Sequence, residues 1–194
     1  MIAVVRIEAP TTRRRSDFLF TSSKSSVLFP YNPAQIENIA AEITQLHELP
    51  GVRAIQIDFD ATASQQAFYA DLLAAVRRQL PQSFPLSITA LASWCAGDRW
   101  LDRLPPHTID EAVPMLFRMG PASGDIVDLI YSGKEFPSPS CQTSMGLSTD
   151  ETFSAVLLSE ASSSRATSAK RIYIFAPRAW TPASANFILK ELHP

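Results

Sequence analysis

Glycine, cysteine and histidine are scarce in this chain of 194 residues, which holds 6 Gly, 2 Cys and 3 His. With so few glycines, no strand-like segment is followed by a glycine-rich loop. That excludes a phosphate-cradling P-loop and the dinucleotide-binding doubly wound sheet. Cys95 and Cys141 are too few for a disulfide scaffold and lack metal-ligand spacing. They read as small buried thiols, with a bridge between them open to an exported protein. His47, His107 and His193 are scattered, so neither a metal site nor a serine–histidine triad is expected, and no cofactor is implied. Long apolar runs are also missing: no stretch approaches the roughly 18 residues of a membrane span. The first residues alternate like a strand and do not open as a secretory signal. Nor is there an excess of one charge. A net charge of −2 leaves no electrostatic footprint for nucleic acid, and the run Arg13-Arg14-Arg15 reads as a solvated loop.

What is present is the composition of an ordinary globular protein, 46% hydrophobic and 19% charged, enough for one domain over 1–194. Strand-like alternation marks Ile2–Ile7, Ala54–Asp60, Leu86–Leu91, Ala112–Phe117, Ser144–Leu147 and Arg171–Phe175. Helical spacing fills the gaps. Asn32 and Pro33 open a helix with Ile36, Ile39, Ile43 and Leu46 on one face. Ser64 caps a second helix carrying Phe68, Leu72, Val76 and Leu80. A helical turn is expected near Asp98–Leu104, a helix near Gly124–Tyr131, and a last helix from Thr181-Pro182 through Leu192. Ser148-Thr149-Asp150-Glu151 spells a capping box before a helix over Thr152–Leu158.

From Ala54 onward the strands start about 30 residues apart, the length of a βαβ unit. The class is therefore α/β with a parallel sheet, and the reading is an incomplete (β/α)8 barrel of about six strand–helix units. Two strands are wanting. Either the chain is the C-terminal three-quarters of a longer protein, or a partner copy closes an open barrel.

The most informative segment is Val52-Arg53-Ala54-Ile55-Gln56-Ile57-Asp58-Phe59-Asp60-Ala61. Alternation sends Gln56, Asp58 and Asp60 to one face, with Ile55, Ile57 and Phe59 on the other. Carboxylates at the end of an apolar strand are costly to bury, and substrates bind where barrel strands end. Repulsion between two such neighbours raises one pKa and leaves the other low. Asp60 is the candidate proton donor and Asp58 its charge-stabilising partner. Both could instead pair with an arginine such as Arg118 or Arg178. Glu8 follows the first strand on the face of Arg6, as a second carboxylate or as half of an ion pair. Trp94 and Trp180 follow strands and could stack on a sugar ring or pack under loops. Arg118 could hold an anionic substrate group. Asp110 and Glu111 precede their strand and sit at the stability face.

The succession Ile57-Asp58-Phe59-Asp60-Ala61, Leu86-Ser87-Ile88-Thr89-Ala90-Leu91-Ala92-Ser93-Trp94 and Asp110-Glu111-Ala112-Val113-Pro114-Met115-Leu116-Phe117-Arg118-Met119-Gly120 resembles the bacterial domain-of-unknown-function family 3142. The similarity continues through Gly146-Leu147-Ser148 and Ile172-Tyr173-Ile174-Phe175-Ala176-Pro177-Arg178-Ala179-Trp180. The resemblance implies a glycosidase-like barrel with further sequence ahead of Met1, and carries no established activity. A weaker similarity is to chitinase-like glycoside hydrolases, whose fourth strand ends in alternating carboxylates. On that pattern Asp60 replaces a glutamate and Gln56 an aspartate, the acid expected near Phe117 is absent, and Trp180 matches the aromatic floor of the sugar site. The expectation is a glycoside-hydrolase-like barrel acting on a carbohydrate. The alternative is a non-catalytic carbohydrate-binding or degenerate structural barrel. The compartment stays open: periplasm or envelope if a signal precedes Met1, cytoplasm otherwise.

Overall fold

The computed structural model describes residues 1–8, 31–120, 123–151, 157 and 171–192. Backbone contacts divide the chain into two compact units. The first comprises residues 1–86 with the short segment 105–108, and the second takes residues 87–104 and 109–194.

In the first unit, β1 (Ile2–Arg6) pairs in parallel with β2 (Ala54–Asp58), in a register that sets Val4 beside Gln56 and Arg6 beside Asp58. Between them runs α1 (Pro33–Gln45), and α2 (Gln66–Gln79) follows β2. The start of α1 is the one its sequence announces. Asn32 accepts from the Gln35 amide while the Gln35 side chain accepts from the Asn32 amide, and Pro33 takes the first helical position. For α2 the cap is not Ser64. Thr62 and Gln65 form the reciprocal pair instead, around a 3₁₀ turn at Ala63–Gln65 that precedes the helix. Its apolar stripe is as expected: Phe68, Leu72, Val76 and Leu80 are all buried, joined by Tyr69 and Leu73. Ile55 and Ile57 of β2 are wholly buried, each stabilising the fold by roughly 1.5–3 kcal/mol relative to exposure.

The second unit holds β3 (Leu86–Leu91), β4 (Glu111–Met115), β5 (Ser144–Ser148) and β6 (Arg171–Phe175), paired in parallel in that order. Its helices are α3 (Ala92–Ala96), α4 (Ser123–Tyr131) and α5 (Pro182–Leu192). The short helix α3 was not expected. Its five residues are too few to show a 3.6-residue period, and the helical turn anticipated after it shrinks to a 3₁₀ turn at Leu101–Arg103. All six strands fall within two residues of their expected ends, and every pairing inside the two units is parallel, which fixes the class as α/β. The helix expected over Thr152–Leu158 lies outside the described residues except for Leu157, which is helical and buried.

Two features hold the second unit beyond its apolar core. Glu111, at the start of β4, is 5% exposed, yet its carboxylate is fully engaged. Both oxygens accept from Arg171 Nη1 at 2.8 and 2.9 Å, and the Tyr173 hydroxyl donates at 2.7 Å. These bonds offset the several kcal/mol that an unpaired buried carboxylate would cost, and they tie the start of β4 to β6. Next to the carboxylate, the Tyr173 hydroxyl is raised above its ordinary pKa, first by burial and then by its bond to Glu111. At Gly146 on β5, a Cβ would meet the Phe175 ring at 3.0 Å, so a glycine is what lets Phe175 lie across the strand.

The second feature corrects the reading of the cysteines as thiols. Cys95 in α3 and Cys141 in the 3₁₀ turn before β5 are joined in a disulfide, with Cα atoms 5.8 Å apart and both residues buried. A spacing of 46 residues carries no signature, so only the fold reveals the pairing. Closing a loop of that length stabilises the folded state by about 4 kcal/mol in the chain-entropy account. The paired substitution Cys95→Ala and Cys141→Ala is expected to lower the unfolding free energy by about that amount. Urea titrations of both proteins, with and without reductant, check it: reductant should affect the wild type alone.

Candidate functional site

Parallel strands deliver their C-terminal ends to one edge, and the charged residues singled out above gather at such ends. In the first unit the strand β2 stops at Asp58, so Asp60 lies two residues beyond it. There the Ala61 amide turns back to the Phe59 carbonyl at 2.8 Å. The alternation that would align Asp60 with Asp58 therefore ends before Asp60, and the tight turn sets its direction instead. Phe59, between the two aspartates, is 4% exposed and meets the rings of Tyr69 and Phe68 edge-to-face, at 5.2 and 6.2 Å. Burying that ring fixes the backbone from which both carboxylates project.

The two acids differ in their surroundings. Asp58 is largely shielded, and its Oδ2 accepts from Arg6 Nη1 at 3.3 Å, across the register pair of β1 and β2. The same guanidinium donates through Nε to Glu8 at 3.2 Å. Glu8 is thus half of an ion pair at the rim, and an arginine that meets Asp58 is Arg6. Asp60 reaches solvent, but buried Phe59 and Ala61 flank it and strip water from one side. That desolvation, followed by the charge of Asp58, raises its carboxyl above the ordinary 3.8, with Arg6 pulling the other way. Beneath the pair, Tyr69 is wholly buried and donates to the Ile57 carbonyl at 3.4 Å. Burial and then the charges of Asp58 and Asp60 push its hydroxyl well above 10, so it stays protonated.

In the second unit, Arg118 follows β4 with a φ of 51°, a left-handed conformation that costs an ordinary side chain about 1–2 kcal/mol. Its amide donates to Glu151 at 2.9 Å and its guanidinium to Asp150 at 3.1 Å, charge-assisted bonds that offset the strain. Asp150 also accepts from the Ser148 hydroxyl. That bond, and then Arg118, holds its carboxyl below the ordinary 3.8. The four residues Ser148–Glu151 are therefore not the capping box that their order suggests: Glu151 reaches Arg118, not back to Ser148. The Arg118 side chain stays 64% exposed despite these bonds.

The two tryptophans part company. Trp180, after β6, is 45% exposed. Trp94 is 3% exposed and packs edge-to-face on Trp100 at 5.1 Å, which corrects its placement at a rim: it sits in α3, and its face is spent on the core. Residues that sequence reasoning missed are Arg6 as the partner of Asp58, and Asp150 and Glu151 as the partners of Arg118. The register of β1 on β2 signals the first only once the strands are paired. Among the described residues, no three His, Cys, Asp or Glu side chains come together as a metal site. Among them too, no helix is long and apolar enough to cross a membrane.

Residues 30–117 match the family described as "Domain of unknown function (DUF3142)". That stretch contains Asp58, Asp60 and Trp94 and ends one residue before Arg118. No curated protein and no solved structure matches the chain.

The Asp150 cluster has a pH signature. A carboxyl held below 3.8 in the fold contributes stability that is complete above 3.8 and is lost as the pH falls through the lower folded value. Asp150→Asn is expected to lower Tm at pH 7, with the difference from wild type narrowing only below pH 3.8. Thermal melts from pH 7 to pH 2.5 check this. A difference that already narrows near pH 5 contradicts it.

Proposed function

We propose that the protein is a carbohydrate-processing α/β barrel of the glycoside-hydrolase kind, in which Asp60 gives the proton and Asp58 remains ionised. One observation carries the reading. At the end of β2, an arginine-paired Asp58 lies beside a solvent-reaching, partly desolvated Asp60. Hydrolysis of a glycosidic bond needs one carboxyl protonated to release the leaving oxygen and another ionised. Unequal environments are how two neighbouring carboxyls divide those tasks at one pH. Taken by itself, the second unit has in Trp180 an exposed aromatic face of the sort that stacks on a sugar ring, and in Arg118 a guanidinium of the sort that meets an acidic substituent. Trp94 has no part in substrate contact on this reading.

A second reading, carbohydrate binding without catalysis, is favoured by the exposure of Trp180 and would not need Asp60. The test is Asp60→Asn and Trp180→Ala, assayed on chromogenic glycosides and on a glycan array. Losing a general acid lowers turnover by about 10²–10⁴-fold. On the catalytic reading Asp60→Asn loses at least 100-fold in turnover and keeps glycan binding. Unchanged turnover in Asp60→Asn overturns it. Array binding that needs Trp180, with no glycoside hydrolysed, favours the second.

A further inference from the structure

We propose that the Cys95–Cys141 bond is introduced while the chain is still folding, by a disulfide-bearing thiol oxidoreductase, so that the protein matures in an oxidising compartment outside the cytoplasm. The inference stands apart from the carbohydrate reading and takes nothing from it.

The two sulfurs are shut away from solvent. Cys95 is 1% exposed and Cys141 is 0% exposed. Around them the backbone closes on itself. The Ser138 amide donates to the Cys95 carbonyl at 3.4 Å, and the Cys141 amide to the Ser138 carbonyl at 3.1 Å. The Gln142 side chain donates to the Phe136 carbonyl at 2.9 Å. Phe136 and Ser138 are themselves buried, as are Trp94 beside Cys95 and the Trp100 ring that meets it. Thiol–disulfide exchange requires a thiolate to reach a sulfur of the other disulfide and passes through a bond that joins the two proteins. Once residues 136–142 are docked on α3, another protein's sulfur has no path to either cysteine. The bond therefore forms before that docking is complete.

The oxidant comes from outside the chain. These are the only 2 cysteines in 194 residues, so no third sulfur can hand a disulfide inward. One cysteine, as its thiolate, attacks the oxidoreductase disulfide; a mixed disulfide forms, and the oxidoreductase's other sulfur leaves as a thiolate. The second cysteine, also deprotonated, attacks the sulfur that the first contributed, which closes Cys95–Cys141 and frees the remaining oxidoreductase sulfur. Two electrons pass to the oxidoreductase disulfide, and the two thiol protons end on the dithiol it becomes. Where glutathione and thioredoxin keep thiols reduced, the same exchange runs backwards for as long as the sulfurs can be reached, and the chain would bury two thiols instead. A buried bridge places the folding where thiols are oxidised: the periplasm, the cell surface or the medium. Burial then protects the bond, because the path closed to the oxidant is closed to reductants as well.

The experiment traps the thiols of the full chain in the cells that make it. Cells are separated into cytoplasmic and extracytoplasmic fractions with N-ethylmaleimide present throughout. Each fraction is unfolded in more of the same reagent, and the mass of the chain is read before and after reduction. The expected result is a chain in the extracytoplasmic fraction with no adduct before reduction and two reactive thiols after it. Two adducts before reduction, or a bridged chain in the cytoplasmic fraction, overturns the proposal. A second measurement tests the order of events: the purified, bridged chain is exposed to reduced glutathione with and without urea. Reduction of the folded chain should be at least about tenfold slower, because local opening must come first. Equal rates show that the sulfurs stay reachable after folding and overturn the claim that the bond precedes closure. Neither readout uses a glycoside, so failure of the carbohydrate reading leaves both standing.

Discussion

Parallel pairing is the constraint from which the rest of this molecule follows. Strands that run the same way must finish on the same side, so whatever follows each strand is gathered without any further instruction. In the first unit that rule sets Arg6 beside Asp58, and in the second it lets Arg118 after β4 meet Asp150 and Glu151 after β5. The opposite ends are used differently. Glu111, Arg171 and Tyr173 at the starts of β4 and β6 consume one another's hydrogen-bonding capacity. Charges at the strand starts therefore tie strands to one another, and charges at the strand ends join segments that follow them.

Magnitudes sort the contributions. Apolar burial on β2 and α2 supplies roughly 1.5–3 kcal/mol for each large side chain withdrawn from water, and several in the first unit are withdrawn completely. Exposed pairs such as Arg6–Glu8 and Arg78–Glu37 contribute between nothing and about 1 kcal/mol each. The ion pairs at the strand ends are therefore poor candidates for holding the fold and better ones for setting local charge. The Phe59 ring shows how the two levels connect: its burial is a packing event, and its consequence is the fixed direction of the acids on either side.

The fold was legible in the sequence because its signals are periodic. Six alternating segments and the stripe of α2 each repeat a pattern over several residues, and each is found within two residues of where it was placed; in α1 the buried face is Ile36, Ala40, Ile43 and Thr44, with the expected Ile39 and Leu46 only half-buried. What failed was local and short. Five residues of α3 hold barely one turn, and the cap of α2 was assigned to Ser64 when Thr62, two residues earlier, had the Gln65 partner that completes a box. The site was half legible. Asp58 and Asp60 announce themselves as charges in an apolar run, but which cation meets which acid depends on strand register, a property of two segments some fifty residues apart. Trp94 misled because a residue following a strand was taken to lie at its mouth, and the helix that begins at Ala92 turns it inward.

The Cys95–Cys141 link has a topological effect apart from its energy. It encloses β4 and α4 in a covalent ring, with α3 at one end and the turn before β5 at the other. A protease that nicks the backbone anywhere inside that ring does not release a fragment. The two pieces travel as one molecule until a reductant reaches sulfurs that the fold keeps out of water, so damage to this half of the chain stays hidden on a gel run without thiol.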